Sequence, residues 1–209
     1  MHHFISMFSL LVIIGLQVSV QSAGRLSERS IRRYFLSELT VSNGMTWGSW
    51  GYKDTCPTGT YAAGFSVKVE KPSHILYDDT ALNGIRLHCA NLSQGLSQTH
   101  EGDATVQSGV GHWGEWTKIK WCPSGYLSAF QLRVQSSQGI KDDTAANNIR
   151  FKCSQEFLVQ GKGTAWGEWG DWSPMCRGKG ICGITTRIEG PQGRGDDTAL
   201  NDVRMLCCD

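Results

Sequence analysis

Three copies of one pattern run through this chain, so any fold it adopts must serve the same sequence three times. Each copy opens on Trp-Gly-x-Trp, at Trp47-Gly48-Ser49-Trp50, Trp113-Gly114-Glu115-Trp116 and Trp166-Gly167-Glu168-Trp169. A cysteine follows at Cys56, Cys122 and Cys176. Next comes an alternating apolar run: Phe65-x-Val67-x-Val69, Phe130-x-Leu132-x-Val134 and Ile184-x-Thr186-x-Ile188. An Asp-Asp-Thr-Ala-x-Asn segment then occupies 78–83, 142–147 and 196–201. Each copy closes on an apolar residue, Arg, two further residues and Cys, from Ile85-Arg86 to Cys89, Ile149-Arg150 to Cys153 and Val203-Arg204 to Cys207. Six of the eight Trp fall in the opening motif, which rules out accident. The copies span 44–89, 110–153 and 163–209.

Alternation with period two marks strands that bury one face. The 25 glycines supply the turns between them, and no repeat shows helical periodicity. A repeat of several short strands makes one small antiparallel sheet with a face to hide. Three such sheets around a pseudo-threefold axis bury one another's faces, with Trp and Phe filling the centre. The reading is all-β: a β-prism of three antiparallel sheets, with a three-bladed propeller and a β-trefoil as rivals.

Residues 1–22 read as a signal peptide. Phe8 to Val20 is almost unbroken apolar sequence, and small or polar residues follow it. The run is shorter than the roughly 20 apolar residues of a membrane span, and no later stretch approaches that length. Eight cysteines behind such a leader read as four disulfides in an oxidising, extracellular compartment. No Cys-x-x-Cys pair or histidine cluster supports a metal site. Aligning the copies pairs Cys56 with Cys89, Cys122 with Cys153 and Cys176 with Cys207, which leaves Cys182 for Cys208. The adjacent Cys207 and Cys208 leave an exchange of partners open. Each bridge closes a loop of about 30 residues, worth about 3 to 4 kcal/mol in the chain-entropy model.

Twenty Lys and Arg against nineteen Asp and Glu, with no basic stripe, exclude nucleic acid as a partner. Residues 23–43 read as an N-terminal arm or a propeptide. Ile31, Tyr34, Phe35 and Leu39 fall at helix-like spacing there, and Arg29-Ser30-Ile31-Arg32-Arg33 resembles a proprotein-processing site. The β-prism domain is 44–209. The sequon Asn91-Leu92-Ser93, in the long connection 90–112, is a candidate N-glycosylation site.

The carboxylates are the candidates for chemistry. Retaining glycosyl transfer needs two carboxyl groups about 5 Å apart. Asp78-Asp79, Asp142-Asp143 and Asp196-Asp197 supply pairs, yet chain neighbours rarely face each other in that way. Their presence in all three copies favours turn-fixing bonds to backbone N–H groups. Asn83, Asn147 and Asn201 then suit a turn position with positive φ. Arg86, Arg150 and Arg204 could pair with those aspartates. Glu115 and Glu168 are more informative, because Ser49 stands at their position in the first copy. They flank aromatic rings, as sugar-binding acids do, although a solvated turn carboxylate is the plainer reading. No Gly-x-Ser-x-Gly elbow is present, and His74, His88, His100 and His112 show no Ser or Asp partner pattern. No phosphate-cradling Gly loop occurs, so no cofactor is implied. Paired Trp can stack on sugars, but three equivalent pairs more often plug a core. A ligand site is expected where symmetry breaks: the loop 71–77, the connection 90–112 or a groove along the prism axis.

Together, the Trp-Gly-x-Trp opening, the Asp-Asp-Thr-Ala-x-Asn segment and the Arg-x-x-Cys close resemble the vitelline membrane outer layer protein 1 family over residues 44–209. The resemblance implies Greek-key sheets arranged as in jacalin-type lectins. It also implies secretion into an egg coat or mucosal fluid, with coat or mucosal proteins and glycans as partners. A transferase activity on N-acetylglucosamine oligomers, lysozyme-like in substrate, is associated with such proteins, but no catalytic residues come with it. Two expectations follow. One is a secreted, non-catalytic structural or glycan-binding component of an extracellular coat, such as the outer layer of the egg vitelline membrane. The other is a transglycosylase on chito-oligosaccharides. Two carboxylates from distant positions meeting in one cleft would favour the second; lacking a recognisable pair, the sequence favours the first.

Overall fold

The computed structural model describes residues 33–71, 80–92, 104–137, 144–192 and 197–209. The leader and processing motif up to Arg32, the aspartates at 78, 79, 142, 143 and 196, His74, His100 and Ser93 of the sequon lie outside the described residues. Among the described residues the secondary structure is all strand apart from turns. In chain order the strands are β1 (Phe35–Leu39), β2 (Ser49–Trp50), β3 (Asp54–Thr55), β4 (Tyr61–Val69), β5 (Leu82–Ala90), β6 (Thr105–Gln107) and β7 (Glu115–Trp116). They continue as β8 (Lys120–Trp121), β9 (Leu127–Val134), β10 (Ala146–Cys153), β11 (Leu158–Gln160), β12 (Glu168–Trp169), β13 (Gly180–Ile188) and β14 (Leu200–Cys208).

Three antiparallel sheets result. The first has the order β6-β5-β4-β7, with β8 also on β4; the second has β11-β10-β9-β12. The third has β1-β14-β13-β2, with β3 also on β13. In the first two, three successive strands lie side by side and a fourth returns beside the first, which is a Greek key; the third has the same arrangement, with β1 and β2 from earlier in the chain in the two outer places. The long hairpins β4–β5, β9–β10 and β13–β14 come from the alternating run and the closing segment of each copy.

Sequence copy and sheet are out of step. The Trp-Gly-x-Trp segment of the second copy pairs with the hairpin of the first, as β7 on β4, and that of the third pairs with the second, as β12 on β9. The third sheet is completed by the opening segment of the first copy, which supplies β2 and β3. This offset makes three of the disulfides join neighbouring sheets. Cys56, after β3, bonds Cys89 in β5; Cys122, after β8, bonds Cys153 in β10; Cys176, after β12, bonds Cys207 in β14. Cys182–Cys208 ties β13 to β14 within the third sheet.

The segment before residue 44 is part of this fold, and part of it is strand. Phe35 sits opposite Cys208 and Leu39 opposite Met205, so β1 covers the edge that β14 would otherwise leave open. Leu39 is 1% exposed. The helix-like spacing of Tyr34, Phe35 and Leu39 yields here to that edge, whose unpaired backbone groups a helix could not satisfy. The Arg33 guanidinium donates to the carbonyls of Cys56, Pro57 and Thr60 at 2.6, 2.9 and 2.7 Å and lies 4.9 Å from the Tyr61 ring.

The interior follows the alternation. Phe65, Val67, Phe130, Leu132 and Ile184 point inward from the central strands and meet Ile85, Leu87, Ile149, Phe151 and Met205. Phe151 lies 4.6 Å from Phe65 and 6.3 Å from Phe130, centroid to centroid. The expectation that Trp fills the centre is not met: all six Trp of the opening motifs are half-buried and lie outside the core. An indole is large and carries an N–H that needs a partner, so it seldom fits a fully apolar centre. The glycine inside each opening motif has φ of 73°, 82° or 69°, at Gly48, Gly114 and Gly167. A Cβ there would run into the backbone of Ile188, Val69 or Val134, so the turn that carries the Trp pair requires glycine.

A second correction concerns the asparagines. Positive φ falls two residues earlier, at Ala81 (51°), Ala145 (44°) and Ala199 (49°). Asn83, Asn147 and Asn201 are strand residues, fully buried, and stitch that turn with their side chains. Each Nδ2 donates to the Oγ of the preceding Thr80, Thr144 or Thr198 at 2.6, 2.7 and 2.7 Å. The threonine hydroxyls in turn donate to Glu70, Gln135 and Glu189. The three copies differ in one respect. Asn83 Oδ1 accepts from the Trp113 backbone N–H and Asn147 Oδ1 from the Thr164 hydroxyl, whereas Asn201 Oδ1 is buried with no partner.

Candidate functional site

The outward faces of the sheets carry cations stacked on indoles. Arg86 of β5 lies 4.0 Å from the Trp116 ring centre, Arg150 of β10 4.3 Å from Trp169, and Arg204 of β14 4.2 Å from Trp50. Their remaining contacts are polar. Arg86 Nε donates to Gln107 and Arg150 Nε to Gln131, at 2.8 and 2.6 Å, while Arg204 lies 3.6 Å from Glu38. Among the described residues, then, these arginines stack on Trp; the aspartates expected to pair with them lie outside the described residues except for Asp197. The weakly hydrated guanidinium suits an aromatic face, and such contacts contribute about 0.5 to 2 kcal/mol each. On the second sheet the stack extends into a ladder of Arg133, Trp169, Arg150, Trp172 and Lys152.

One end of this ladder borders a cavity of about 650 Å³. Its walls come from two parts of the chain: Ser42 to Met45, and the second sheet at Val134 to Ser136 and Gly167 to Gly170. The described residues of the loop 71–77 and of the connection 90–112 do not line it. Glu168 and Trp169 lie on one wall, Asn43 on the other. Asn43 Nδ2 donates to the Leu132 carbonyl at 3.0 Å, and its Oδ1 is buried without a partner. Of the described residues lining the cavity, Glu168 is the single carboxylate. Its counterpart Glu115 is exposed on β7. Asp197 is buried and accepts the Gln192 backbone N–H at 2.5 Å, as a turn-fixing aspartate does. Neither cavity brings two of the candidate carboxylates together among the described residues.

A second cavity, of about 370 Å³, is lined by Trp121, Ser124, Tyr126, Ser154, Gln155 and Leu92. The Tyr126 hydroxyl accepts the Leu92 backbone N–H at 2.8 Å, which fixes the chain beside the exposed Asn91.

Two polar features were not anticipated. His88 does have a serine partner: Ser66 Oγ is 3.1 Å from His88 Nε2, between β4 and β5. Burial, aided by the nearby charge of Arg86, lowers the His88 pKa to about 4. So weakly basic an imidazole, joined to a serine that is 3% exposed, makes a structural pair and not a nucleophile. Only the β4–β5 register, which places Gly64 opposite His88, would have revealed it. Asp202 stands where the other copies have Gly84 and Asn148. Burial raises its pKa, against the bond from Val203 N–H and the charges of Arg204 and Arg187. Among the described residues, no group of three His, Cys, Asp or Glu could hold a metal, and no helix is long and apolar enough to cross a membrane.

Comparison with known proteins places this geometry. The model of the vitelline membrane outer layer protein I family matches residues 37–209. The human protein named vitelline membrane outer layer protein 1 homolog is 51% identical over 178 residues, which is 85% of each chain. Its Mus musculus counterpart is 49% identical over 177 residues, 83% of this chain and 84% of that one. Among solved structures, Calystegia sepium agglutinin aligns with a TM-score of 0.50 at 11% identity, over 83% of this chain and 96% of its own. Frutapin, a lectin from Artocarpus incisa, gives 0.50 at 10% identity over 85% and 97%. Single-chain recombinant jacalin gives 0.50 at 13% over 85% and 95%. At such identities the likeness is one of fold, the β-prism.

Proposed function

This chain belongs to the vitelline membrane outer layer protein I family, and from that premise we propose that it acts outside the cell as a non-catalytic, glycan-binding structural component of an extracellular coat. The apolar leader, the four disulfides and the exposed Asn91 of the sequon support export. The observation that carries glycan binding is the cavity beside Glu168, Trp169 and Asn43. A sugar offers apolar C–H faces and a rim of hydroxyls. An indole supplies a matching apolar surface, while the exposed Glu168 carboxylate is an acceptor for hydroxyl or amide donors. Retaining transfer needs a second carboxylate about 5 Å away, and among the described residues Glu168 alone lines the cavity.

The test is proton NMR of an N-acetylglucosamine hexamer titrated with the secreted protein. Sugar resonances should broaden without new anomeric signals. Glu168→Gln should weaken binding about tenfold, the worth of one charge-assisted hydrogen bond. New anomeric signals growing over hours would replace this reading with transglycosylation. Resonances unaffected at millimolar sugar would remove glycan binding from it.

A further inference from the structure

The two Trp of each opening motif have different neighbours, the first in the second copy lying 5.7 Å from the His112 ring. Glycine accounts for the turn, and the arginine stacks fall on the second Trp of each pair. The first Trp of each pair, at 47, 113 and 166, is half-buried and lies outside the core. We infer that Trp47, Trp113, Trp166 and Trp169 carry C-linked mannose, attached at indole C2 while the chain passes through the secretory pathway. The inference rests on the export reading given above.

The argument joins spacing to exposure. A Trp followed by another Trp three residues on is the arrangement that luminal mannose transfer to carbon acts upon. This chain has it at Trp47/Trp50, Trp113/Trp116 and Trp166/Trp169, and again at Trp169/Trp172. Had these indoles plugged the core, as their repetition suggested, a hexose on any of them would have been incompatible with folding. All four acceptors are instead half-buried and outside the core. The donor is a polyprenyl-phosphate mannose. The electron-rich indole C2 attacks C1 of the sugar, a C–C bond forms, and the C1–O bond breaks with its electron pair leaving on the polyprenyl phosphate. Loss of the C2 proton to a base of the transferase restores the aromatic ring, and nothing is oxidised or reduced. On the product, sugar hydroxyls would join a surface already rich in Arg133, Arg150 and Lys152.

The remaining four Trp serve as controls in the same molecule. Trp50, Trp116, Trp121 and Trp172 lack a Trp three residues on and should stay unmodified. The full chain would be expressed in animal cells twice, once with its own residues 1–22 and once with a proven secretion leader in their place. Tryptic and chymotryptic peptides of the medium protein would then be fragmented by mass spectrometry. One hexose on each of the four acceptors, with the cross-ring fragments of a carbon-linked sugar and no loss of a whole hexose, is the expected result. Trp116→Phe should remove the hexose from Trp113 and leave those on Trp47 and Trp166, an effect a merely structural Trp116 would not have. Unmodified acceptors in the chain exported by the substituted leader would overturn the inference. Failure of only the native leader to export the chain would instead overturn the secretion reading.

Discussion

His88 makes the stability of this protein depend on acid in a calculable way. Its folded-state pKa is about 4, against 6.5 for an unperturbed histidine, because burial disfavours the imidazolium and Arg86 adds repulsion. A base whose pKa is depressed on folding costs nothing above the unfolded pKa, where it is neutral in both states. As pH falls below 6.5 the unfolded chain binds a proton that the folded chain refuses, and stability declines. The loss is complete near pH 4, below which both states are protonated. The full difference corresponds to about 3 kcal/mol. Acidification also titrates carboxylates, so the measurement must isolate the histidine. Urea unfolding of the oxidised protein, followed by Trp fluorescence, would be compared between wild type and His88→Gln at pH 7 and pH 4. The wild type's advantage over the variant should shrink by about 3 kcal/mol across that interval. The ring resonances of His88 should titrate near pH 4 by NMR. Titration near 6.5, or an advantage that does not change with pH, would refute the reasoning.

The threefold stitch offers an internal comparison. Asn147→Ala should cost about 1 kcal/mol more than Asn201→Ala in urea midpoints, because Asn147 Oδ1 accepts a bond and Asn201 Oδ1 has none to lose. Equal costs would mean that the accepted bond contributes nothing. Removing the fourth disulfide as Cys182→Ala with Cys208→Ala should lower stability by about 3 kcal/mol while far-ultraviolet circular dichroism is unchanged. That value is the upper end expected from loop closure, because the neighbouring Cys176–Cys207 bridge already ties the same segment. Deleting residues 33–39 should lower Tm and promote association, since it removes Leu39 from the core, drops three Arg33 bonds and bares the edge of β14. Light scattering and calorimetry would check both effects.

The strands were legible because alternation encodes facing directly: Phe65 and Val67, or Phe130 and Leu132, point where period two sends them. Repetition was less informative about Trp. It says that three positions are equivalent, not whether they are inside, and indole size and the N–H decided the matter. Pairing between copies was illegible, because nothing local to Glu115-Trp116 states that its partner strand is β4 of the preceding copy. The same limit hid the Ser66–His88 pair. At the cavity the substitution of Ser49 by glutamate in later copies singled out Glu168, but Asn43 on the opposite wall fell in a segment read as a loose arm.

The third sheet, completed by the chain's own start, makes the molecule a ring cut at one point. Strands β4 to β8 and β9 to β12 belong to sheets that are contiguous along the chain, so each can form as soon as it leaves the ribosome. The segments β1, β2 and β3 are made first yet find partners only when β13 and β14 emerge last. Contacts of that sequence separation close slowly, and assembly of the prism therefore ends at its beginning. A circular permutant that joins residue 209 to residue 33 through a short linker and opens at the exposed Pro123 keeps every strand neighbour and makes all three sheets contiguous. Such a chain should reach the same prism faster than the natural one.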